Sequence, residues 1–326
     1  MVENNPGDKK VVILGGFANS GKGALVYCLS EVSSIYYYDD EPRFISDPDG
    51  IMSLESALCD NWNIFQSDKG IKRFDKLIKT LCNKYKSPYF WRNTNKMFSG
   101  KLKTITEEYL SELVDFSYKG MWTGINNPIY KIIWKLNMML KKRIFNYNKN
   151  IYVSMNYELF QLMTRKYFNR LIRNAMPGTF KYFLLNEPFA SLYPSRVLNY
   201  FNDAKLIIVH RDPRDSYCNL MNETSDFMPK SVEHYIKLYK HMSALSIKNG
   251  KNDQRVLRIN FEDLIVNYER TKKVVFNFLD IDESTHVHKF KYFDPNISVK
   301  NIGIWKKYKN QNDMKKISFE LGEYCH

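Results

Sequence analysis

No apolar run in these 326 residues is long enough to cross a bilayer, and the polar first ten residues lack the apolar core of a secretory signal. The five cysteines, at 28, 59, 82, 218 and 325, include no CxxC and no close pair, which excludes a zinc ribbon and argues against a disulfide scaffold. Internal repeats and low-complexity stretches are missing too. Histidine is sparse, at 210, 234, 241, 286, 288 and 326; only 286 and 288 are close, and with no third ligand beside them no metal site is expected. Acidic residues are the minority charge: 35 Asp plus Glu against 49 Lys plus Arg leave +14. Such a field suits nucleic acid, a nucleotide, an acidic glycan or a membrane surface. With 44% hydrophobic residues there is ample chain for a core, and a single domain over 1–326 is expected. These absences together describe a soluble chain of a reducing compartment.

Residues 11–15 (VVILG) form a short apolar run rich in β-branched residues and ending in glycine, the pattern of a buried parallel strand. Beyond a glycine-rich turn, Ala24, Leu25, Cys28, Leu29 and Val32 recur at helical spacing, so strand, loop and helix open an α/β fold. Residues 35–38 predict a second strand running into the acidic turn Asp39-Asp40-Glu41-Pro42. From about 54 to 175 the period becomes helical, with stripes such as Phe74-Leu77-Ile78-Leu81 and Ile129-Ile132-Ile133-Leu136. Stripes of this kind read as packing surfaces within a large helical insertion. Strand patterns return at 182–185, 205–209 (KLIIV) and 256–259, with helices near 191–201 and up to 278. The fold class expected is α/β, a central parallel sheet flanked by helices.

Gly16-Phe17-Ala18-Asn19-Ser20-Gly21-Lys22-Gly23 satisfies GxxxxGK and departs only at the last position, where Ser or Thr would hold magnesium. Backbone N–H groups of such a loop and the positive end of the following helix bind phosphate without a metal. The alternative is a plain tight turn, but the preceding strand, the following helix and the basic chain favour phosphate. Farther on, KLIIV runs straight into His210-Arg211-Asp212-Pro213-Arg214-Asp215, placing two arginines at the carboxyl edge of the sheet, where open α/β sheets bind ligands. They imply a second anionic group; pairing with Asp212 and Asp215 as a structural network is the alternative. His210, alternating away from Arg211, reads as packing. Lys300-Asn301-Ile302-Gly303-Ile304-Trp305-Lys306 joins cations, a glycine and a stacking aromatic, a loop able to cover a nucleotide.

Taken in order, VVILGGFANSGKGAL, AKLIIVHRDPRDSYCNLM, VLRINFEDLIVNYERTKKVVFNFLDI and NIGIWKKY make the chain resemble the sulfotransferases that use 3′-phosphoadenosine 5′-phosphosulfate, over about a third of its length. The resemblance implies a P-loop NTPase-like topology and binding of that donor, with 3′,5′-adenosine bisphosphate as product and no metal. Residues 18–24, Ala18 to Ala24, stand where the family has its 5′-phosphosulfate loop, with Asn19 at the usual basic position and Lys22 and Gly23 at the two threonine positions. Lys22 is then the charge-stabilising lysine. Arg211 matches the arginine that contacts the 3′-phosphate, and Asn219 stands eight positions on, where a serine is usual. Gly303, Trp305 and Lys306 align with the family's Gly-x-Trp-Lys element, with Lys300 as the basic residue before it. Glu262-Asp263-Leu264 is typical of the family and reads as structural.

Transfer to a hydroxyl also needs a base. The stretch Leu184-Leu185-Asn186-Glu187-Pro188 has no histidine where some relatives carry one, whereas several carbohydrate sulfotransferases use a glutamate soon after the first strand–helix unit. Glu41 matches that second solution, its alternative being a solvated turn carboxylate; Arg43 orients the acceptor or pairs with Glu41, and Glu187, beside Asn186, is the reserve base. Trp91 and Arg92, with Tyr89, Phe90 and Trp122, place the acceptor wall in the insertion. The expected acceptor is a glycan or glycolipid hydroxyl, modified by a bacterial-type cytoplasmic enzyme; a Golgi enzyme trimmed of its anchor is the lesser choice. A P-loop kinase is the rival within enzymes, disfavoured by Gly23, and a basic nucleic-acid-binding protein is the rival of another class, supported by charge and aromatics alone.

Overall fold

A computed structural model describes residues 9–17, 19–83, 94–120, 128–141, 149–223 and 228–326. Seven strands occur among them: β1 (Lys10–Gly15), β2 (Ile35–Tyr37), β3 (Phe116–Gly120), β4 (Lys149–Val153), β5 (Tyr182–Asn186), β6 (Ala204–His210) and β7 (Val256–Asn260). Five form one parallel sheet in the order β2-β5-β1-β6-β7, so β1 lies at the centre with Val12 opposite Leu184 on one side and Ile13 opposite Leu206 on the other. Because β5 and β6 leave β1 in opposite directions, the crevice at the carboxyl end of β1 is the topological switch point of the sheet.

The strands bury both faces, which is why they read as continuous apolar runs. Side chains alternate between two cores. Val11 and Ile13, with Phe183, Leu185, Leu206 and Ile208, face one; Val12 and Leu14, with Leu184, Ile207 and Val209, face the other. The second core is closed by the Lys22–Ser30 helix through Leu25 and Leu29, and by the helices Phe261–Val266 and Tyr268–Leu279 through Leu264, Val275 and Phe276.

The first core is closed by the segment between β2 and β5. Its helices Ile64–Leu81, Leu102–Leu113 and Tyr157–Ala175 pack Phe74, Ile78, Tyr109, Tyr167 and Phe168 against the sheet, with Tyr109 and Tyr167 stacked at 4.5 Å. Asn63 caps the first of these by accepting from Phe65 N and Gln66 N. The insertion is therefore a structural layer, and it departs from expectation at two places. It contains an antiparallel pair, with Phe116 opposite Val153, which helical periodicity did not predict: β3 is exposed along nearly its whole length, so it carries no apolar alternation. Second, the stripe Ile129-Ile132-Leu136 on the Pro128–Met139 helix is not core: all three side chains are exposed. The helix expected near 191–201 is reduced to a 3₁₀ turn, Pro188–Ser191, and five residues, Pro194–Leu198, each opening on a proline that removes a backbone donor. No helix among the described residues is long and apolar enough to cross a membrane.

Candidate functional site

The glycine-rich loop leaves the carboxyl end of β1 and opens the Lys22–Ser30 helix. Two of its glycines are required by geometry. Gly16 and Gly21 have φ of 157° and 77°; a Cβ on Gly16 would collide with Ser20 Oγ, and one on Gly21 would enter the Phe261 ring. Nothing lies within 4 Å of a Cβ placed on Gly23, so its missing hydroxyl is no steric necessity. The helix has no side-chain cap on Gly21 and no acidic residue in its first turn, which leaves its N-terminal N–H groups and positive dipole end to the cavity that Gly21, Lys22 and Gly23 line. Ala18 lies outside the described residues.

Arg211, at the carboxyl end of β6, is 4% exposed and reaches across the switch point. It donates from Nη1 to Asn19 O at 3.2 Å and from Nη2 to Asn301 O at 2.7 Å, and its guanidinium lies over the Phe261 ring at 5.1 Å. Burial lowers its pKa, with Asp215 and Glu262 opposing. Three polar atoms packed here are buried without a protein partner: Asn19 Nδ2, Ser20 Oγ and Arg211 Nε.

Arg214 goes elsewhere. Asp212 caps the Pro213–Asn222 helix and takes Arg214 as a fork, with Nη2 at 2.5 Å, while Trp305 stacks on the guanidinium at 3.9 Å and the His326 carbonyl accepts at 2.9 Å. Of the two arginines, one faces the crevice and the other is a structural clamp. Asp215 accepts from Gly303 N at 2.7 Å and Trp305 N at 3.0 Å, which fixes the C-terminal segment beside Arg211. Of that segment Asn301 lines a smaller cavity of about 410 Å³ shared with Ala24, Arg211 and Asn219; Gly303 and Trp305 are spent on packing, and Lys300 and Lys306 are exposed.

The larger cavity, about 1060 Å³, has two ends. Its polar end holds Gly16, Asn19, Ser20, Lys22, Arg211 and Asn219, joined by Glu41 and Arg43 from the turn after β2. Lys22 Nζ lies 3.5 Å from Glu41 Oε1, Arg43 Nη1 is 3.1 Å from Glu41 Oε2, and Arg43 Nη2 is 2.7 Å from Asp47. Glu41 is thus a partly buried carboxylate between two cations, not a solvated turn residue. Glu187, 1% exposed beneath this network, leaves Oε1 without a partner, and burial, with Asp47 and Glu41 adding to it, pushes its pKa up to about 8. Asn186 ends β5 beside it, its Oδ1 also buried and unpartnered. Neither Asn186 nor Glu187 lines the cavity.

The other end is apolar. Phe189 and Leu192 follow β5, and Leu238, Met242 and Leu245 come from the Val232–Gly250 helix with His241 among them. Sequence reasoning assigned no role to this face, although 238, 241, 242 and 245 carry the i, i+3, i+4, i+7 signal of one helical stripe. No described residue of 54–175 lines the cavity, and Tyr89, Phe90, Trp91, Arg92 and Trp122 lie outside the described residues. His210 is packing, edge-on to Phe17, and burial beside Arg258 lowers its pKa to about 4. His286 is 2.9 Å from the buried Glu31 carboxylate. Among the described residues no cluster of three His, Cys, Asp or Glu could hold a metal.

No protein of curated function matches the sequence. The chain is similar in structure to the sulfotransferase STF9 from Mycobacterium avium at 12% identity, covering 98% of this chain and 77% of that one with a TM-score of 0.42. It is likewise similar to the sulfotransferase domain of the Synechococcus PCC 7002 olefin synthase at 13% identity, covering 98% and 96%, TM-score 0.43. Likenesses this distant carry no argument about substrate. Residues 129–285, just under half of the chain and including β5, β6, Arg211 and β7, match the model of the sulfotransferase family. Over those residues the chain is similar to the sulfotransferase family.

Proposed function

We propose that this sulfotransferase moves the sulfuryl group of 3′-phosphoadenosine 5′-phosphosulfate to a hydroxyl of a glycan or glycolipid, with Glu41 as the proton acceptor. The observation that carries the reading is the meeting, at one end of one cavity, of the phosphate loop, Arg211, Lys22 and the Glu41 carboxylate.

An anionic nucleotide fits these residues. Buried polar atoms without partners are costly, and Asn19 Nδ2, Ser20 Oγ and Arg211 Nε would each gain one from a bound phosphate. When bound, the donor supplies the sulfuryl group and a phosphate leaving group. Residues 16–24 would hold its 5′-phosphosulfate end, and Arg211, Asn219, Asn301 and Lys300 its 3′-phosphate, with Gly303, Trp305 and Lys306 shaping the segment that presents Asn301. Lys22 places a cation where negative charge grows on the departing oxygen. Glu41, held between Lys22 and Arg43, takes the acceptor's proton. Glu187 keeps its own proton at neutral pH, which supports Glu41 over it as the base. No step asks for a metal.

The apolar end of the cavity favours a glycolipid over a free glycan: it offers Phe, Leu and Met side chains to whatever carries the hydroxyl. Trp91 and Arg92 are retained as acceptor contacts, with Arg43 orienting the hydroxyl. In this reading the enzyme works in the cytoplasm on surface-polysaccharide or glycolipid precursors and needs no nucleic-acid partner. The test is calorimetric titration with 3′,5′-adenosine bisphosphate, with ATP plus Mg²⁺ as control, followed by labelled-sulfate transfer to glycolipid and free-glycan acceptors. Selective binding of the bisphosphate and label on the glycolipid are expected. Selective binding of ATP would replace the reading with a kinase.

A further inference from the structure

We propose that the Pro128–Met139 helix is a membrane-surface helix that seats the protein on a bilayer bearing anionic lipid. The helix connects β3 to β4, and none of its described side chains is buried. Ile129, Ile132, Leu136 and Met139 recur on one face, and they are the kind of residue the rest of the chain spends on core; Ile132 is 58% and Met139 79% exposed. Lys131 and Lys135 lie four residues apart on another face, and Trp134, also exposed, lies beyond them, opposite the apolar stripe. This is the composition of an amphipathic helix that lies in the headgroup region with its apolar face down. At about 1.5 Å per residue its 12 residues are shorter than the roughly 30 Å hydrocarbon core, so it lies along the membrane rather than through it.

Charge selects the occupant. Between Asp115 and Glu158 the chain has no acidic residue and seven basic ones: Lys119, Lys131, Lys135, Lys141, Lys142, Arg143 and Lys149. A second copy docking through this segment would set the same cations against one another. Nucleic acid would pair with the cations but leave the Ile, Leu and Met face in water. An anionic bilayer answers both faces at once, supplying hydrocarbon to one and phosphate to the other. The inference rests on none of the transfer chemistry, although a glycolipid acceptor would be met at the same surface.

The experiment is co-sedimentation of the full chain with vesicles of phosphatidylcholine alone and of phosphatidylcholine with phosphatidylglycerol, at low and high salt. Two double variants accompany it: Ile132→Glu with Leu136→Glu, and Lys131→Gln with Lys135→Gln, each checked for an unchanged melting temperature. The wild-type chain is expected to sediment with the anionic vesicles and to be released by salt. The lysine variant is expected to bind about 25-fold more weakly, at about fivefold for each of two cations, and the glutamate variant to lose binding. Failure to sediment with either vesicle overturns the inference. So does full binding by the glutamate variant, which would mean adsorption through the remaining positive surface, or a wild-type dimer in sedimentation velocity that the glutamate variant splits.

Discussion

Lys22 Nζ and Glu41 Oε1 stand 3.5 Å apart although the strands that precede them, β1 and β2, are not neighbours in the sheet; β5 lies between, and the pair closes over its end above the buried Glu187. The proposed mechanism needs a cation beside the leaving group and a carboxylate beside the acceptor's proton, and this contact sets one of each at a single point. Lys22→Ala is expected to lower turnover by about 10²-fold or more, with a smaller effect on bisphosphate affinity. Glu41→Gln should leave nucleotide affinity near wild type and abolish transfer. Calorimetry and single-turnover assays read the two effects separately, and wild-type turnover in Glu41→Gln would remove it as the base.

The two arginines of the HRDPRD segment should behave oppositely. Arg211→Ala deletes a buried cation and its bonds to Asn19 and Asn301, and bisphosphate affinity should drop by about 30-fold or more. Arg214→Ala leaves the buried Asp212 with two backbone N–H donors but no cation and should cost about 3 kcal/mol of stability, while the fraction that remains folded binds nucleotide normally. Chemical denaturation and titration on both variants check the contrast; a nucleotide defect confined to Arg214→Ala would reverse the assignment.

Glu187 makes stability depend on pH in a stated direction. Its folded pKa, about 8, lies above the ordinary 4.5, so the native state holds the proton more tightly than the unfolded chain. Stability from this group is therefore complete below about pH 4.5 and is lost as pH rises toward 8. Glu187→Gln should flatten the fall in melting temperature across that window and leave the variant more stable than wild type at its upper end. Parallel melting curves with pH would show that Glu187 is ionised in the folded protein.

The loop glycines give an internal control. Gly21→Ala forces a Cβ into Phe261 at a left-handed φ and should destroy nucleotide binding with a large loss of stability. Gly23→Ala meets nothing and sits in the first turn of a helix, so it should be neutral or stabilising by up to about 1 kcal/mol. Thermal melting of the two variants separates them.

Much of the sheet was legible because a parallel strand covered on both faces must be apolar throughout, and residues 11–15 and 205–209 have no other use for that composition. The glycine-rich turn between β1 and the Lys22–Ser30 helix was legible because its geometry leaves little choice at Gly16 and Gly21. The Val232–Gly250 wall of the cavity was missed because an apolar stripe has the same spacing whether it meets a core or a ligand. For the same reason the stripe from Ile129 to Leu136 was read as packing when it faces outward. Arg211 and Arg214, three residues apart in one motif, could not be separated by sequence, since which of them meets an acid is decided by the position of Trp305 and of the chain's last residue.

The positions of the core strands along the chain, the glycine-rich loop and the identity of the groups able to carry charge were determined by local sequence, because each depends on backbone sterics and burial within a few residues. The partners of those groups were decided only by the tertiary structure. Sheet order lifts β5 between β1 and β2 and so sets Lys22 against Glu41 above the buried Glu187, whose pKa burial raises. Electrostatic roles depend on distance and desolvation across the fold, and neither quantity exists until the strands are in place.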